Sequence, residues 1–259
     1  MDFSSRFYKL KNILELSLAL ARAEFKLRNE GSYLGVLWYL LYPLALFGVI
    51  LFVGPLAFAQ IKIAYYPLYL ILGIVMANFF IQTLYGSIHV VQNNSGLIKS
   101  VKINYESLVI SKVIQSVFSH AFEVVVIFAL MVYYGIPLMG VVWYALIFCF
   151  FVTFILGASF IFASLGAYIN DLGNVWMVAG QLLFFITPTF YVVEKSQVHY
   201  AVNMFNPLFY FLTVTREVVI YQRVPEAWLM AAALILSITS LTVGILVFEK
   251  YKNKFAELV

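Results

Sequence analysis

The chain has 259 residues, of which 64% are hydrophobic and only 11% charged, with a mean hydropathy of +0.96 and a formal net charge of +4. Soluble domains carry about a quarter of their residues as charges, so this composition excludes a water-soluble enzyme or binding module and makes the bilayer the solvent. The apolar runs are continuous rather than alternating with period two, which excludes a β-barrel and leaves the α-helix as the spanning element.

Residues 10–28 predict an amphipathic helix. Leu10, Leu14, Leu18, Ala21 and Phe25 recur at helical spacing, while Lys11, Glu15, Arg22 and Lys26 gather on another face, the pattern of a helix lying in a membrane interface. Gly31-Ser32 ends it. Residues 31–61 then carry no formal charge, and further apolar runs cover 67–91, 113–134, 138–168, 172–193 and 227–248. A helix needs roughly 20 residues to cross a ~30 Å hydrocarbon core, so six transmembrane helices are predicted. The first starts at Tyr33 and is kinked at Pro43. A polar turn, 93–106, joins the second and third spans, and Lys112 stands at the end of the third, where it can snorkel. Asp171 is placed to cap the fifth span. Residues 195–225 are too short and too polar to cross twice, and Pro207 divides them; they predict two short re-entrant helices on the outer side, with Arg216-Glu217 near water. No repeat or composition shift divides residues 1–259, which read as a single all-α integral membrane domain.

An even number of spans puts both termini on one side. That side holds Arg6, Lys9, Lys11, Arg22, Lys26, Arg28, Lys99, Lys102, Lys112, Lys250, Lys252 and Lys254; the other holds Lys62, Lys195, Arg216 and Arg223. The asymmetry predicts cytoplasmic termini. The basic balance thus records topology and contact with membrane lipids rather than a nucleic-acid partner.

The sequence has no GxxxxGK[ST] loop, no HExxH and no metal-ligand spacing, so no metal or cofactor is expected on this chain. The single Cys149 reads as a small apolar residue of the fourth span. His120 and Glu123 are i, i+3 on the third span; ionisable residues at membrane depth point either to a proton relay or to a hydrogen-bonded pair inside the bundle. Aromatic residues make up 18% of the chain, more than interfacial belts need. Trp38, Tyr39 and Tyr42 cluster on the first span, and Trp176, Phe184 and Tyr191 fall within one helical face of the fifth. Such faces can stack on the C–H faces of sugar rings and form a substrate pathway, or can pack against lipid and core.

Four blocks carry a family resemblance: Ala23-Glu24-Phe25-Lys26-Leu27-Arg28 with Gly31 to Trp38 and Pro43; Tyr66-Pro67-Leu68-Tyr69 through Asn78-Phe79-Phe80 to Asn93-Asn94 and Leu97-Ile98-Lys99; Leu165 to Leu172; and Leu183 to Tyr191 with Glu194 and Asn206-Pro207-Leu208. In order and spacing the chain resembles the ABC-2 type permeases that export lipid-linked polysaccharides such as O-antigen, capsule or teichoic acid. The resemblance departs at Ile103-Asn104-Tyr105-Glu106, where the family has a Phe-Pro-Arg-like stretch. It implies a permease subunit in the cytoplasmic (inner) membrane, working as a homodimer with two copies of a separate cytoplasmic ABC ATPase that uses ATP and Mg. Motion of that ATPase would be received by Arg22, Lys26 and Arg28 on the amphipathic helix, by Gly96, Leu97, Ile98, Lys99 and Lys102 in the turn, and by Asp171. Leu97-Ile98, apolar in a polar turn, suits burial in a partner groove. Two other readings stay open: an ABC-2 exporter of small drugs or lipids, and a proton-coupled secondary transporter using His120 and Glu123.

Overall fold

The computed structural model describes residues 3–30, 33–57, 63–101, 103–193 and 195–258. Gly31, Ser32, Lys62, Lys102 and Glu194, invoked above, lie outside them. Every regular element among the described residues is helical. The N-terminal helix, α1 (Phe3–Asn29), is longer than the sequence pattern predicts. Gly35, at a left-handed φ of 46°, turns the chain through a 3-10 turn into α2 (Trp38–Ala57), so the first apolar helix starts at Trp38 rather than Tyr33. The long helices α3 (Tyr66–Ile88), α6 (Tyr105–Tyr133), α7 (Met139–Tyr168) and α11 (Ala227–Tyr251) are each apolar and long enough to cross a membrane.

Two short helices, α4 (Val90–Asn93) and α5 (Ser95–Ser100), occupy the predicted turn between α3 and α6. The predicted fifth span forms only α8 (Leu172–Ile186), 15 residues, about 22 Å at 1.5 Å per residue. The helix stops there because Pro188 has no N–H to donate and disfavours helical geometry at the preceding Thr187. After it come α9 (Val198–Asn203) and α10 (Pro207–Val219), divided where Pro207 was expected to divide them. The Asn206 side chain caps α10 by accepting from Leu208 N at 3.0 Å, and Pro207 takes its first turn. A short α12 (Phe255–Leu258) ends the described chain.

The bundle is built around α3, whose middle is buried on all sides from Leu68 to Phe80; α2, α6, α7, α8 and α10 all pack on it. Without a hydrophobic drive between helices in lipid, small residues and interhelical hydrogen bonds hold such bundles together. The α7–α11 pair shows this directly. Ser237 and Ser240 hydroxyls donate to the carbonyls of Phe150 and Phe154, each at 2.8 Å. Gly157 and Gly244 complete the seam: a Cβ at Gly244 would stand 2.1 Å from the Gly157 carbonyl oxygen.

α1 lies against α6 on a stripe that keeps Ala21 and Phe25 of the predicted one, Phe25 meeting the Phe118 and Phe122 rings of α6, but not Leu10 or Leu14. Ile13, Ser17 and Ala21 are buried, and Leu10, Leu14 and Leu27 stay exposed. Ser17 and Ala21, being small, permit close packing. At the same end of the bundle, Val90, Val91, Ile98, Leu108, Phe160, Phe248 and Phe255 form one core on which Leu20 of α1 packs. Lys252 ties α11's extension to Glu106 at 2.6 Å. The N-terminal helix, the α4–α5 turn and the C-terminal tail therefore share one end of the bundle.

Candidate functional site

Two cavities adjoin along α3. The larger, about 840 Å3, lies between α2 and α8 with α3 as its floor, and the second, about 560 Å3, lies between α1, α2, α3 and α6. They share Tyr42, Asn78, Gln82 and Tyr85, so together they form one groove along the central helix. Five of the six aromatic residues singled out from the sequence line it: Tyr42, Trp176 and Phe184 the first part, Trp38, Tyr39 and Tyr42 the second. Trp176 is oriented by its indole N–H, which donates to the Ile81 carbonyl at 3.0 Å. Tyr39 stacks on Phe25 at 5.7 Å between ring centroids.

Tyr191 is the exception. The helix ends at Ile186, so the helical offset that placed Tyr191 with Trp176 and Phe184 does not hold. Its hydroxyl turns back to donate to the Ile186 carbonyl.

The segment after α8 poses a physical problem, since unwound backbone buried within a helical bundle must find partners in the protein. Here each carbonyl finds one. Ile186 accepts from Asn203 at 3.1 Å and Thr187 from the Thr189 N–H at 2.7 Å. Pro188 and Thr189 accept from the Arg216 guanidinium at 2.6 and 2.7 Å. Phe190 accepts from the Tyr66 hydroxyl at 3.3 Å, and Tyr191 from the Tyr69 hydroxyl at 2.8 Å. Arg216 also donates to the Tyr69 carbonyl at 3.0 Å. Arg216 is thus 4% exposed, and its expected position near water is corrected: its charge is spent on peptide carbonyls of a helix break. Gly73 makes room for this, because a Cβ there would stand 2.3 Å from the Thr189 oxygen.

His120 and Glu123 form the expected pair, Nδ1 to Oε2 at 2.8 Å. The sequence did not reveal the third member, Tyr144 on α7, whose hydroxyl meets His120 Nε2 at 2.6 Å. His120 stacks on Phe148 at 4.3 Å. Both ring nitrogens are engaged, so His120 links Glu123 to Tyr144 across α6 and α7.

The residues assigned to ATPase coupling cluster at the shared end but divide in exposure. Arg22, Lys26, Arg28, Gly96 and Lys99 are exposed. Ile98 is buried in the chain's own core and Leu97 packs against it, so the expectation that this pair waits for a partner groove is corrected. Asp171 occupies the N-cap position of α8, but its side chain makes no capping hydrogen bond; only its carbonyl is used, by Val175 N at 3.1 Å. Beside it, Gln92 of α4 donates to the Gly166 carbonyl at 3.1 Å, linking the turn to the end of α7.

These features define an all-helical, multi-pass membrane protein with an aromatic groove along its central helix. Over 248 residues it is 24% identical to the O-antigen export system permease protein RfbA of Myxococcus xanthus, covering 94% of this chain and 95% of that protein. It is 26% and 25% identical to two O-antigen export system permease proteins RfbA of Klebsiella pneumoniae, over 260 and 258 residues, covering 97% of this chain and 98% of each. No protein-family model matches the chain.

Proposed function

We propose that this chain is the permease subunit of an ATP-driven exporter that moves lipid-linked polysaccharide across the cytoplasmic membrane. The observation that carries the reading is similarity to O-antigen export permeases over nearly the whole of both chains. The aromatic groove supports it: ring faces bind sugar by stacking, without polar grips specific to one sugar, which suits passage of a polymer.

In this reading the chain crosses the membrane six times with both termini in the cytoplasm, α2 and α8 being the two shorter crossings. Two copies face each other across their grooves, and two copies of a separate ABC ATPase dock on the end that carries α1, α4 and α5. The chain itself performs no hydrolysis. The test is complementation. Expressed with its ATPase in a cell that assembles lipid-linked polysaccharide but lacks its own permease, the chain restores glycan on the outer face. A P-loop lysine substitution in the ATPase abolishes the effect. Glycan retained inside with both proteins correctly inserted and complexed overturns the reading.

A further inference from the structure

The larger cavity is lined by rings and aliphatic side chains, and among the described residues no charged side chain lines it. Set among the rings are three amides, Asn78 and Gln82 of α3 and Gln181 of α8. Among the described residues none of the three makes a side-chain hydrogen bond, and the Asn78 Nδ2 is buried without a partner. Other amides of the bundle are spent on the fold. Asn203 donates to the carbonyls of Ile186 and His199 at 3.1 and 2.9 Å, Asn206 to Thr187 Oγ1 at 2.7 Å, and Gln222 to the Val219 carbonyl at 3.0 Å. A buried donor left unmet destabilises a fold, so packing does not account for Asn78, and a ligand that meets it does.

The amides stand among the rings at helical spacing. Gln82 is one turn beyond Asn78 on α3 and three positions before Tyr85. On α8, Gln181 lies five positions after Trp176 and three before Phe184, about 7.5 and 4.5 Å along the helix axis. Gln82 and Gln181 are exposed, while Asn78 is 7% exposed.

These features restrict the ligand. With no cation on its described wall, the cavity offers no charge-assisted bond to a phosphate or carboxylate. An acyl chain would leave all three amides unmet. Each amide presents donors and an acceptor side by side, which matches neighbouring hydroxyls, themselves donors and acceptors. The rings beside them match the C–H face of a pyranose. A mostly apolar cavity with a few placed polar groups is the usual form of a site that orients its ligand.

We propose that Asn78, Gln82 and Gln181 form a hydrogen-bonding rung for the hydroxyls of an uncharged sugar ring stacked in the aromatic groove. The ligand's chemistry is read from the groove itself; the place of the rung on an export path rests on the permease reading. The rings hold a sugar by its face, and the amides fix which edge turns toward α3 and α8.

The test uses the permease–ATPase complex in nanodiscs of phosphatidylcholine, titrated calorimetrically with maltoheptaose, an uncharged oligosaccharide, and separately with caffeine, an uncharged flat heterocycle. Gln82→Leu and Gln181→Leu should each weaken maltoheptaose binding about two- to tenfold, the range for one neutral hydrogen bond, and the double variant should weaken it more than either. Caffeine affinity should stay within about twofold, since the rings on which it stacks remain. Asn78→Leu should weaken maltoheptaose binding similarly without lowering the melting temperature, because its amide nitrogen has no bond to lose. If that variant fails to fold, the glutamine variants, at exposed positions, still decide. Unchanged maltoheptaose affinity in both glutamine variants, or no maltoheptaose binding to the unaltered complex, overturns the rung. So does a loss of caffeine affinity equal to the loss for maltoheptaose, which assigns the groove to small aromatic molecules, or a loss of complex recovery in the glutamine variants, which assigns the amides to contact between copies. Successful complementation with unchanged affinities removes the rung and leaves the permease reading; failed complementation by the unaltered chain removes that reading, and the titration still decides the rung.

Discussion

Arg216 and Tyr69 hold each other twice. The guanidinium lies 3.3 Å from the centroid of the Tyr69 ring and donates to the Tyr69 carbonyl at 3.0 Å. Through the same guanidinium, the carbonyls of Pro188 and Thr189 are bound to α3. Arg216→Met removes the donors of these carbonyls and should destabilise the fold by on the order of 3–5 kcal/mol, since each unmet buried acceptor costs about 1–3 kcal/mol. Gly73→Ala should destabilise it through the same contact, by about 1–3 kcal/mol. Thermal unfolding of the detergent-solubilised protein measures both. Because the substitutions share one contact, the double variant should fall short of their sum; full additivity would refute the shared strut.

Trp38 and Tyr42 line the groove yet are 58% and 56% exposed. Alanine at both should reduce glycan export with a stability change within about 0.5 kcal/mol. Phe184→Ala should instead cost about 3–5 kcal/mol, because that ring is packed in the core. Tyr42→Cys and Val49→Cys, in a background where Cys149 is replaced, should react with a water-soluble thiol reagent faster during ATP turnover. Leu182→Cys, on α8 but not lining the groove, should not. Equal labelling at positions 42 and 182 counts against the groove as the pathway.

The burial of Ile98 separates two effects that a docking role would merge. Ile98→Asp should destabilise the permease even without its ATPase, by removing an apolar side chain from the core around Phe248 and Phe255. Lys99→Glu with Val101→Asp, both on the exposed surface, should leave the melting temperature unchanged and reduce recovery of the ATPase in pull-downs. An Ile98→Asp protein as stable as wild type would return that residue to the docking surface.

Glu24 on α1 carries a pH dependence. Burial disfavours its charged form and holds it above the usual carboxylate range, against the pull of Lys112. The folded protein therefore keeps the proton to higher pH than the unfolded chain does. The group's stabilising contribution is complete below its unfolded pKa and is lost as pH rises through the folded one. Glu24→Gln should be more stable than wild type at neutral pH, and the gap should close as the pH is lowered toward 4.5, its ordinary value. A constant gap across that range, or a less stable variant at neutral pH, contradicts the sign.

Most of the helical order is legible from local pattern. The long apolar runs are α2, α3, α6, α7 and α11, and Pro207 marks the break before α10. The clustering of Trp38, Tyr39, Tyr42, Trp176 and Phe184 on one groove is also visible, because helical spacing puts side chains on one face. What pattern misses is pairing across the bundle. Arg216 reads as a water-facing charge until Pro188 is seen to free carbonyls that only a long donor can reach. Tyr144 lies 24 positions from His120, and nothing local couples them. Ile98 reads as a loop residue seeking a partner because its actual neighbours, Phe248 and Phe255, come from the far end of the chain.

The contact of Gly157 with Gly244 also governs how this architecture can vary. The backbones of α7 and α11 meet without intervening side chains, so one added methyl forces them apart. That pair is a fixed wall. α2 and α8 pack mainly against α3, and the close contacts of α8 at Gly173 and Gly180 are to the side chains of His89 and Ile81 rather than to backbone, so these helices form the more adjustable walls. If the groove is the pathway proposed above, a homologue that passes a thicker or thinner strand can change its bore there, by resizing side chains such as Val49 and Met177, while the α7–α11 side stays as it is.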